Sequence, residues 1–427
     1  MADKNTLLLS KNIPEQYRAN FYWLYSDISS FGILNSSSVA FLAVYATHIG
    51  ASTAQVGWIN AAPAVISILF SLPFGAWMEA MSKQKAIRIT AILMRLYFLP
   101  LIIIPLTLPQ AWQIPLLIII VFLMNIPGTG LAVSFNALFA ESVPIEWRGY
   151  VTGVRNSFFA IVSIITSVIC GEILNRISFP LGYVFVFLIG FVGAAVSTLS
   201  LWFVKPQDLI EQTAKQNHKV SAESEQSVTG SPLLVYFQRY RSKLHTEALT
   251  GPFRKVLLLM FIFSLGQYLP LPLSPIYTVN VLHISDGVIS LGNAIFYIAL
   301  FLVSTQLVRI VNRFGNQGVT GLGLVLMAGY PFVLALSSNN LIFLLASVFG
   351  GSGWSLASGA MYNYVLEKAD PAARSGYLGW YNLAANVGVL IGSLAGPLIG
   401  SMIGLQTALF VFTFVRVIFG LILLRWG

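Results

Sequence analysis

Twelve stretches of this chain run for about 20 residues with almost no charge, a length that crosses the bilayer hydrocarbon as a helix. They cover 21–45, 55–78, 87–106, 114–140, 150–174, 181–204, 255–279, 288–311, 319–337, 341–366, 375–400 and 406–424. A backbone inside lipid has no water to bond to, so it must be a helix or a closed barrel. Barrel strands alternate apolar and polar residues. These runs are continuous, which excludes a barrel. Only 9% of the 427 residues are charged, against roughly 25% in a soluble domain. The fold class expected is an all-α integral membrane protein with twelve transmembrane helices.

The net charge is +9, and its placement decides what it means. All but four of the 24 Lys and Arg fall at the termini, in the even-numbered loops or within three residues of the span ends that border those loops. The exceptions are Arg176 in an odd-numbered loop and Arg95, Arg155 and Arg416 deeper inside helices. This is the positive-inside pattern, and it puts both termini in the cytoplasm. The surplus is therefore topology, not the footprint of a nucleic acid. The N-terminal segment, with Leu7–Leu9 followed by Lys11, Glu15 and Arg18, is too short and too mixed for a cleavable signal. Cys170 is the sole cysteine and sits among Ile and Val, so it reads as a small core residue.

The chain also repeats itself. Glu141 to Asn156, ESVPIEWRGYVTGVRN, returns as EKADPAARSGYLGWYN from Glu367 to Asn382. Glu141 and Glu367, Arg148 and Arg374, Gly153 and Gly379, and Asn156 and Asn382 keep one offset. His48-Ile49 and Gly57 recur at His283-Ile284 and Gly292 with a second offset. A charged turn at the same point of two halves marks a duplicated unit. Parallel repeats of this kind occur in one large class of transporters.

Within the spans, helix one opens with Phe21, Tyr22, Trp23 and Tyr25, an interfacial aromatic belt. Asp27 lies deeper, and Asn35 to Ser38 give the helix a polar centre. Helix four carries Asn125, Pro127, Gly128 and Gly130, and helix ten has Gly350 to Gly353 in the corresponding place. Helix seven reads as broken, with Gln267, Tyr268, Pro270, Pro272 and Pro275. Such breaks are tolerated in a membrane where the backbone is buried in protein or lines a cavity. Between helices six and seven, residues 212–231 are polar and read as disordered. Leu233, Phe237, Tyr240 and Leu244 then recur at helical spacing opposite Arg239 and Lys243, the pattern of a helix lying on the membrane.

Two six-helix halves with a long linker resemble the major facilitator superfamily over essentially the whole chain. Glu141, Arg148 and Gly149, with Glu367 and Arg374, sit where that family often has a Glu ending helix four and Arg-Gly opening helix five, with a matching turn between helices ten and eleven. Its motif between helices two and three, Gly-x-x-x-Asp-x-x-Gly-Arg/Lys, is degenerate here. Gly75 fits, Glu79 stands for Asp, Ser82 replaces the second Gly, and Lys83 and Lys85 keep the charge. The antiporter Gly-Pro of helix five is absent, with Cys170-Gly171-Glu172 in its place. The resemblance implies two pseudo-symmetric bundles, 1–204 and 252–427, around a linker at 205–251. It implies a gate at Glu79, Lys83, Glu141, Arg148, Glu367 and Arg374, and alternating access around a central site. Helices one, four, seven and ten would line that site with Asp27, Asn35, Asn125, Gln267, Tyr268, Trp354 and Asn363.

Charges inside the spans each need a partner or a cavity, because each costs about 2.5–3.5 kcal/mol at a helix centre on insertion scales. Asp27 and Arg155 lie at similar depth and are expected to pair, as a structural brace or as a substrate and proton site. Arg95 and Arg416 lie on helices placed at the periphery by the resemblance and are expected to brace neighbours. His48 and His283 fall in outer loops, where solvation is expected. No metal-ligand spacing, phosphate loop or ATP motif occurs, so no cofactor, catalytic residue or primary pump is expected. The reading is a monomeric secondary transporter of the plasma (inner) membrane, not an enzyme. Its partners are a small-molecule substrate, the lipid bilayer and protons. A non-transporting protein of this fold (an assembly factor or sensor) and a carrier of lipophilic compounds are the competing readings. The charge asymmetry predicts that protease cuts residues 221–231 in inverted membranes and leaves intact right-side-out cells uncut; cleavage from outside would reverse the orientation.

Overall fold

The computed structural model describes residues 15–79, 83–205, 247–370 and 373–426, and every regular element among them is a helix. Twelve helices are long and apolar enough to cross a membrane. In the first half these are α1 (Glu15–His48), α2 (Thr53–Glu79), α3 (Gln84–Thr107), α4 (Gln110–Ser142), α5 (Ile145–Arg176) and α6 (Leu181–Phe203). In the second they are α7 (Phe253–Val281), α8 (Asp286–Ser304), α9 (Leu307–Ala335), α10 (Asn340–Lys368), α11 (Arg374–Ile403) and α12 (Leu405–Trp426). The amphipathic helix expected at 233–244 lies outside the described residues.

One boundary departs from the sequence reading. The eighth apolar run was expected to continue to residue 311, but α8 ends at Ser304 and α9 begins at Leu307. The reason is local. Leu307, Val308, Ile310 and Val311 are interleaved with Arg309, Asn312 and Arg313, an amphipathic turn rather than a span, and it ends at Gly315 with φ +70. A left-handed backbone suits glycine, which has no Cβ to clash. Gly50 after α1 and Gly404 before α12 make two more such glycine turns, at φ +90 and +88.

Several spans are interrupted. α1 carries a π-helical segment at Asn35–Val39, and α7 carries another at Tyr277–Val281. α7 breaks between Tyr268 and Leu273, over the Leu-Pro-Leu-Pro stretch. α9 is kinked at Ala328, three residues before Pro331. Proline has no N–H to give the carbonyl four residues earlier, and π-bulges gather at functional sites.

The two halves pack by one scheme. In the first, α1 touches α5 and α6, α4 touches α2 and α3, and α3 touches α6. In the second, α7 touches α11 and α12, α10 touches α8 and α9, and α9 touches α12. Adding six to each helix number turns the first scheme into the second, which is the two-fold pseudo-symmetry implied by the repeated turn. The halves meet through α5 with α8, α2 with α11, and α1 with α7.

Those meetings lie toward the face away from the chain termini, called here the far face. His48 Nε2 is 2.8 Å from Asp286 Oδ1. Asn293 donates to the Ser167 hydroxyl at 2.8 Å, and Ser290 donates to the Ser167 carbonyl. Asn35 donates to the Tyr297 hydroxyl at 2.5 Å. His48 also faces the rings of Phe179 and Tyr183. It is thus a contact between halves, not simply a solvated loop residue as its position suggested.

Buried apolar clusters tell the same story. The cluster around Phe41 and Tyr45 includes Ile276 and Val279 of α7, so it crosses the seam. At the terminal face, the cluster around Phe21 and Leu138 has no member from the second half, and that around Phe253 and Tyr364 has none from the first. Among the described residues the halves are sealed at the far face and separate at the terminal face. Large apolar side chains such as Leu341 and Leu398 point outward, exposed, as a lipid-covered surface requires.

The seal is close. A Cβ on Gly57 of α2 would lie 2.6 Å from the Ser393 carbonyl oxygen of α11. Gly57→Val should therefore wedge the far face apart. In a Cys170→Ser background, maleimide labelling of Ser290→Cys, fully buried at the α5–α8 contact, should speed up several-fold when Gly57→Val is added. Unchanged labelling would mean that the seal does not depend on this approach.

Candidate functional site

A cavity of about 430 Å³ lies at the seam, within the usual range for small-molecule sites. The outer half of α1 and Asn60 of α2 form one wall; α7, α8, α9, α10 and α12 form the rest. Its surface is mostly apolar and aromatic, with Phe41, Tyr268, Phe296, Tyr330, Phe343 and Trp354. Asn60, Gln267, Ser274, Thr278, Asn293 and Ser347 supply polar groups. Val39, in the π-helical segment of α1, opens onto the cavity, as does Thr278 in that of α7.

Of the lining expected from sequence, Gln267, Tyr268 and Trp354 are in the wall. The others are elsewhere. Asn35 is spent on Tyr297 across the seam, and Asn125 donates to the Val121 carbonyl of its own helix at 2.7 Å. Asn363 is exposed on the terminal half of α10. Asp27 and Arg155 form a separate buried centre in the first half. Helix membership alone suggested the lining, but of those four helices α4 contributes no described lining residue, and α1 and α10 reach the cavity only with their far halves and α7 with its broken middle.

Arg416 of α12 is the residue that sequence reading placed wrongly. It was expected at the periphery, yet it is 3% exposed and lies in the cavity wall. Its Nε donates to the Gly266 carbonyl at 3.0 Å, Nη2 to the Gln267 carbonyl at 2.8 Å, and Nη1 to the Met327 carbonyl at 2.7 Å. Two of these acceptors are explained by proline. Pro270 and Pro331 each stand four residues after an acceptor, Gly266 and Met327, and neither can supply the helical N–H. One guanidinium thus clamps the breaks of α7 and α9 together. The bracing role expected for Arg416 is present, and so is a place in the site. Two Pro spaced four residues beyond free carbonyls, with one unpaired Arg in a span, were the signal available in the sequence.

The second centre joins four helices of the first half. The Asp27 carboxylate accepts from Arg155 Nη2 at 3.2 Å and from the Ser197 hydroxyl at 2.7 Å. Arg95 donates to Ser197 Oγ at 2.8 Å and to the Ala194 carbonyl at 3.3 Å. The Arg155 guanidinium lies over Phe135, 4.5 Å from its ring centre, and beside Phe139. Glycine makes the approach possible: a Cβ on Gly193 would sit 2.8 Å from the Ser30 carbonyl oxygen, so α6 lies hard against α1 and Ser197, one turn on, meets Asp27. Ser197 and the link to Arg95 were not anticipated, because they depend on which faces of α3 and α6 turn inward.

At the terminal face, Arg148 donates to the Val143 carbonyl at 3.1 Å and the Ala140 carbonyl at 2.5 Å, holding the α4–α5 turn. Glu367 accepts from Asn316 Nδ2 at 2.5 Å, which ties α10 to α9. Arg374 is exposed at the start of α11, and Glu141 is partly buried near the end of α4. The side chains of Glu79 and Lys83 lie outside the described part of the structure. Among the described residues no group of His, Cys, Asp and Glu could hold a metal ion. Cys170 is buried and free, as a core residue.

Two like six-helix bundles with a solute-sized cavity at their seam make the architecture of a membrane transporter. The sequence profile of the Major Facilitator Superfamily matches residues 28–252 and 256–427, and the chain belongs to that family. Over 131 residues it is 26% identical to Multidrug resistance protein 2 of Bacillus subtilis (strain 168); the match covers 31% of this chain and spans about a third of that relative, 32%. The xylose transporter XylE from E. coli, in a partially occluded inward-open conformation, superposes with a TM-score of 0.70 at 14% identity, covering 97% of this chain and 98% of that one. A nucleoside transporter, NupG, gives 0.64 at 14% identity over 97% of this chain and 100% of its own. At such identities these structures share the fold.

The clamp can be tested directly. Arg416→Met leaves three buried carbonyls without donors, at about 1–3 kcal/mol each. Thermal unfolding of the purified protein should rank parent above Arg416→Lys above Arg416→Met, since an ammonium cannot reproduce the guanidinium fork. A melting temperature for Arg416→Met equal to the parent would remove the clamp.

Proposed function

We propose that this protein is a secondary transporter that carries a small organic solute across the plasma (inner) membrane by alternating access, as a monomer with both termini in the cytoplasm. The observation that carries the reading is the asymmetric seam: halves sealed at one face, separate at the other, with the cavity at the sealed end. The positive charge at the terminal face makes that face cytoplasmic, and the structure is then the inward-facing member of the cycle. The likeness to xylose and nucleoside transporters supports a solute of similar size. The aromatic wall favours a body more apolar than a sugar. Polar groups inside the cavity count against a non-transporting protein with a tight, polar-free interface between the halves.

In the alternate state the terminal ends close. Glu79, Lys83, Glu141, Arg148, Glu367 and Arg374 occupy the two repeated turns and the α2–α3 turn, where such closure needs reversible polar contacts. Exposed pairs are worth only about 0–1 kcal/mol each, which suits a latch that must open every cycle.

Coupling to protons runs through Asp27 in this proposal. The residue is outside the cavity, so the link is indirect. α1 carries Asp27 in one half of its length and cavity-lining residues from Val39 to Val44 in the other, and the π-helical segment Asn35–Val39 joins the two. Burial disfavours a charged carboxylate and the Arg155 guanidinium favours it. A proton on Asp27 weakens its hold on α5, and α1 is then free to move at the cavity. A stability screen against a solute library identifies a substrate, because a ligand of the folded state raises stability. In proteoliposomes, Asp27→Asn should then abolish accumulation driven by an imposed pH gradient and spare substrate exchange. Gradient-driven accumulation equal to the parent would end the coupling reading; parallel loss of melting temperature and expression would make Asp27 a brace.

A further inference from the structure

We infer that the cavity selects a solute bearing one negative charge on a flat apolar body, with the Arg416 guanidinium as its counter-charge. The inference rests on the transporter reading only in treating this cavity as the solute's site.

The two halves treat their buried cations differently. In the first half, Arg155 faces Asp27 directly and Arg95 reaches the same carboxylate through Ser197. In the second half, Arg416 has carbonyls alone. Carbonyls satisfy N–H groups but cancel no charge. A guanidinium has five N–H donors, and three are engaged, so two remain. The acids of the second half that the structure describes stand at its ends: Asp286 with His48 at the far face, Glu367 and Asp370 at the terminal face. Among the described residues no carboxylate lines the cavity. The site therefore carries one uncompensated positive charge in low-dielectric surroundings.

Such a site discriminates by charge. A cationic solute meets repulsion that buried surroundings screen poorly. A carboxylate gains charge-assisted hydrogen bonds, roughly twice as strong as neutral ones. Tyr268, Phe296 and Trp354 bring aromatic side chains to the wall, suited to an apolar body. The Gln267 side-chain oxygen is buried in the same wall with no partner, which is an unfilled place for a hydroxyl or N–H of the solute. The clamp on α7 and α9 explains why an Arg is at this point in the fold. It does not explain why no acid accompanies it, whereas an anionic solute does.

The test uses three probes of one shape: 2-naphthoate, 2-naphthamide and 2-naphthylmethylamine, at pH 7, against the purified full chain by thermal unfolding. The naphthoate should bind at least tenfold tighter than the amine, with the amide between. Arg416 variants endanger the fold, so the charge is cancelled instead by Gln267→Glu, which keeps side-chain size and adds an acid to the wall. That variant should lose at least tenfold of the naphthoate preference. Equal binding of the three probes, tightest binding of the amine, no response to naphthoate, or an unchanged preference in Gln267→Glu would each overturn the inference. Failure of the transporter reading looks different: naphthoate binds first in order, but no solute crosses proteoliposomes. Uptake of a solute with the charge order reversed would leave the transporter standing and remove this inference.

Discussion

A carbonyl oxygen inside a membrane must find a donor, and this fold depends on where that demand is met out of turn. Most carbonyls here are served by their own helices. Around the cavity the helices are broken on purpose by sequence: Pro270 and Pro272 in α7, Pro331 in α9. The oxygens released would each carry a penalty in hydrocarbon. Arg416 removes it for Gly266, Gln267 and Met327 together. The interruption gives α7 the bends that shape the cavity, and the guanidinium makes the interruption tolerable. Structure and site are therefore one arrangement, not a scaffold with a site added.

The same reasoning separates the two halves. In the first, the buried charges close on one another through Asp27, Ser197, Arg95 and Arg155, and tie four helices into a unit. Breaking one member leaves the rest unpaired in lipid-like surroundings, the costly case for buried ions. In the second, the buried charge closes on backbone and keeps its field. The repeat duplicated the packing scheme but not the electrostatics. α1 spans both worlds, rooted in the first-half network and lining the shared cavity.

Movement follows from how the seam is made. At the far face the contact is close, small residue against backbone, with hydrogen bonds from Ser290, Asn293 and Asn35. At the terminal face each half completes its own buried cluster. Parting at the far face breaks those hydrogen bonds and draws Ile276 and Val279 away from the cluster around Phe41 and Tyr45, while the two terminal-face clusters stay whole.

The sequence by itself determined the class. Continuous apolar runs can only be helices in lipid, and twelve of them, with a turn repeated at one offset, imply two like bundles. The polar break of α7 was also legible, since three prolines within six residues remove several helical N–H donors in succession, and with it came Gln267 and Tyr268; Trp354 followed from its place on α10. The pairing of Asp27 with Arg155 followed from depth and scarcity of partners. Only the tertiary structure decided the rest. Which face of α12 turns inward is invisible in a run apolar all round, so Arg416 looked peripheral. Asn35, Asn125 and Asn363 sat on the expected helices, but a helix lines a cavity with one face over part of its length. His48 found its partner 238 residues away, across a seam that exists only after both halves fold. Periodicity and charge are properties of one segment; contacts between faces are properties of several, and those are set by packing.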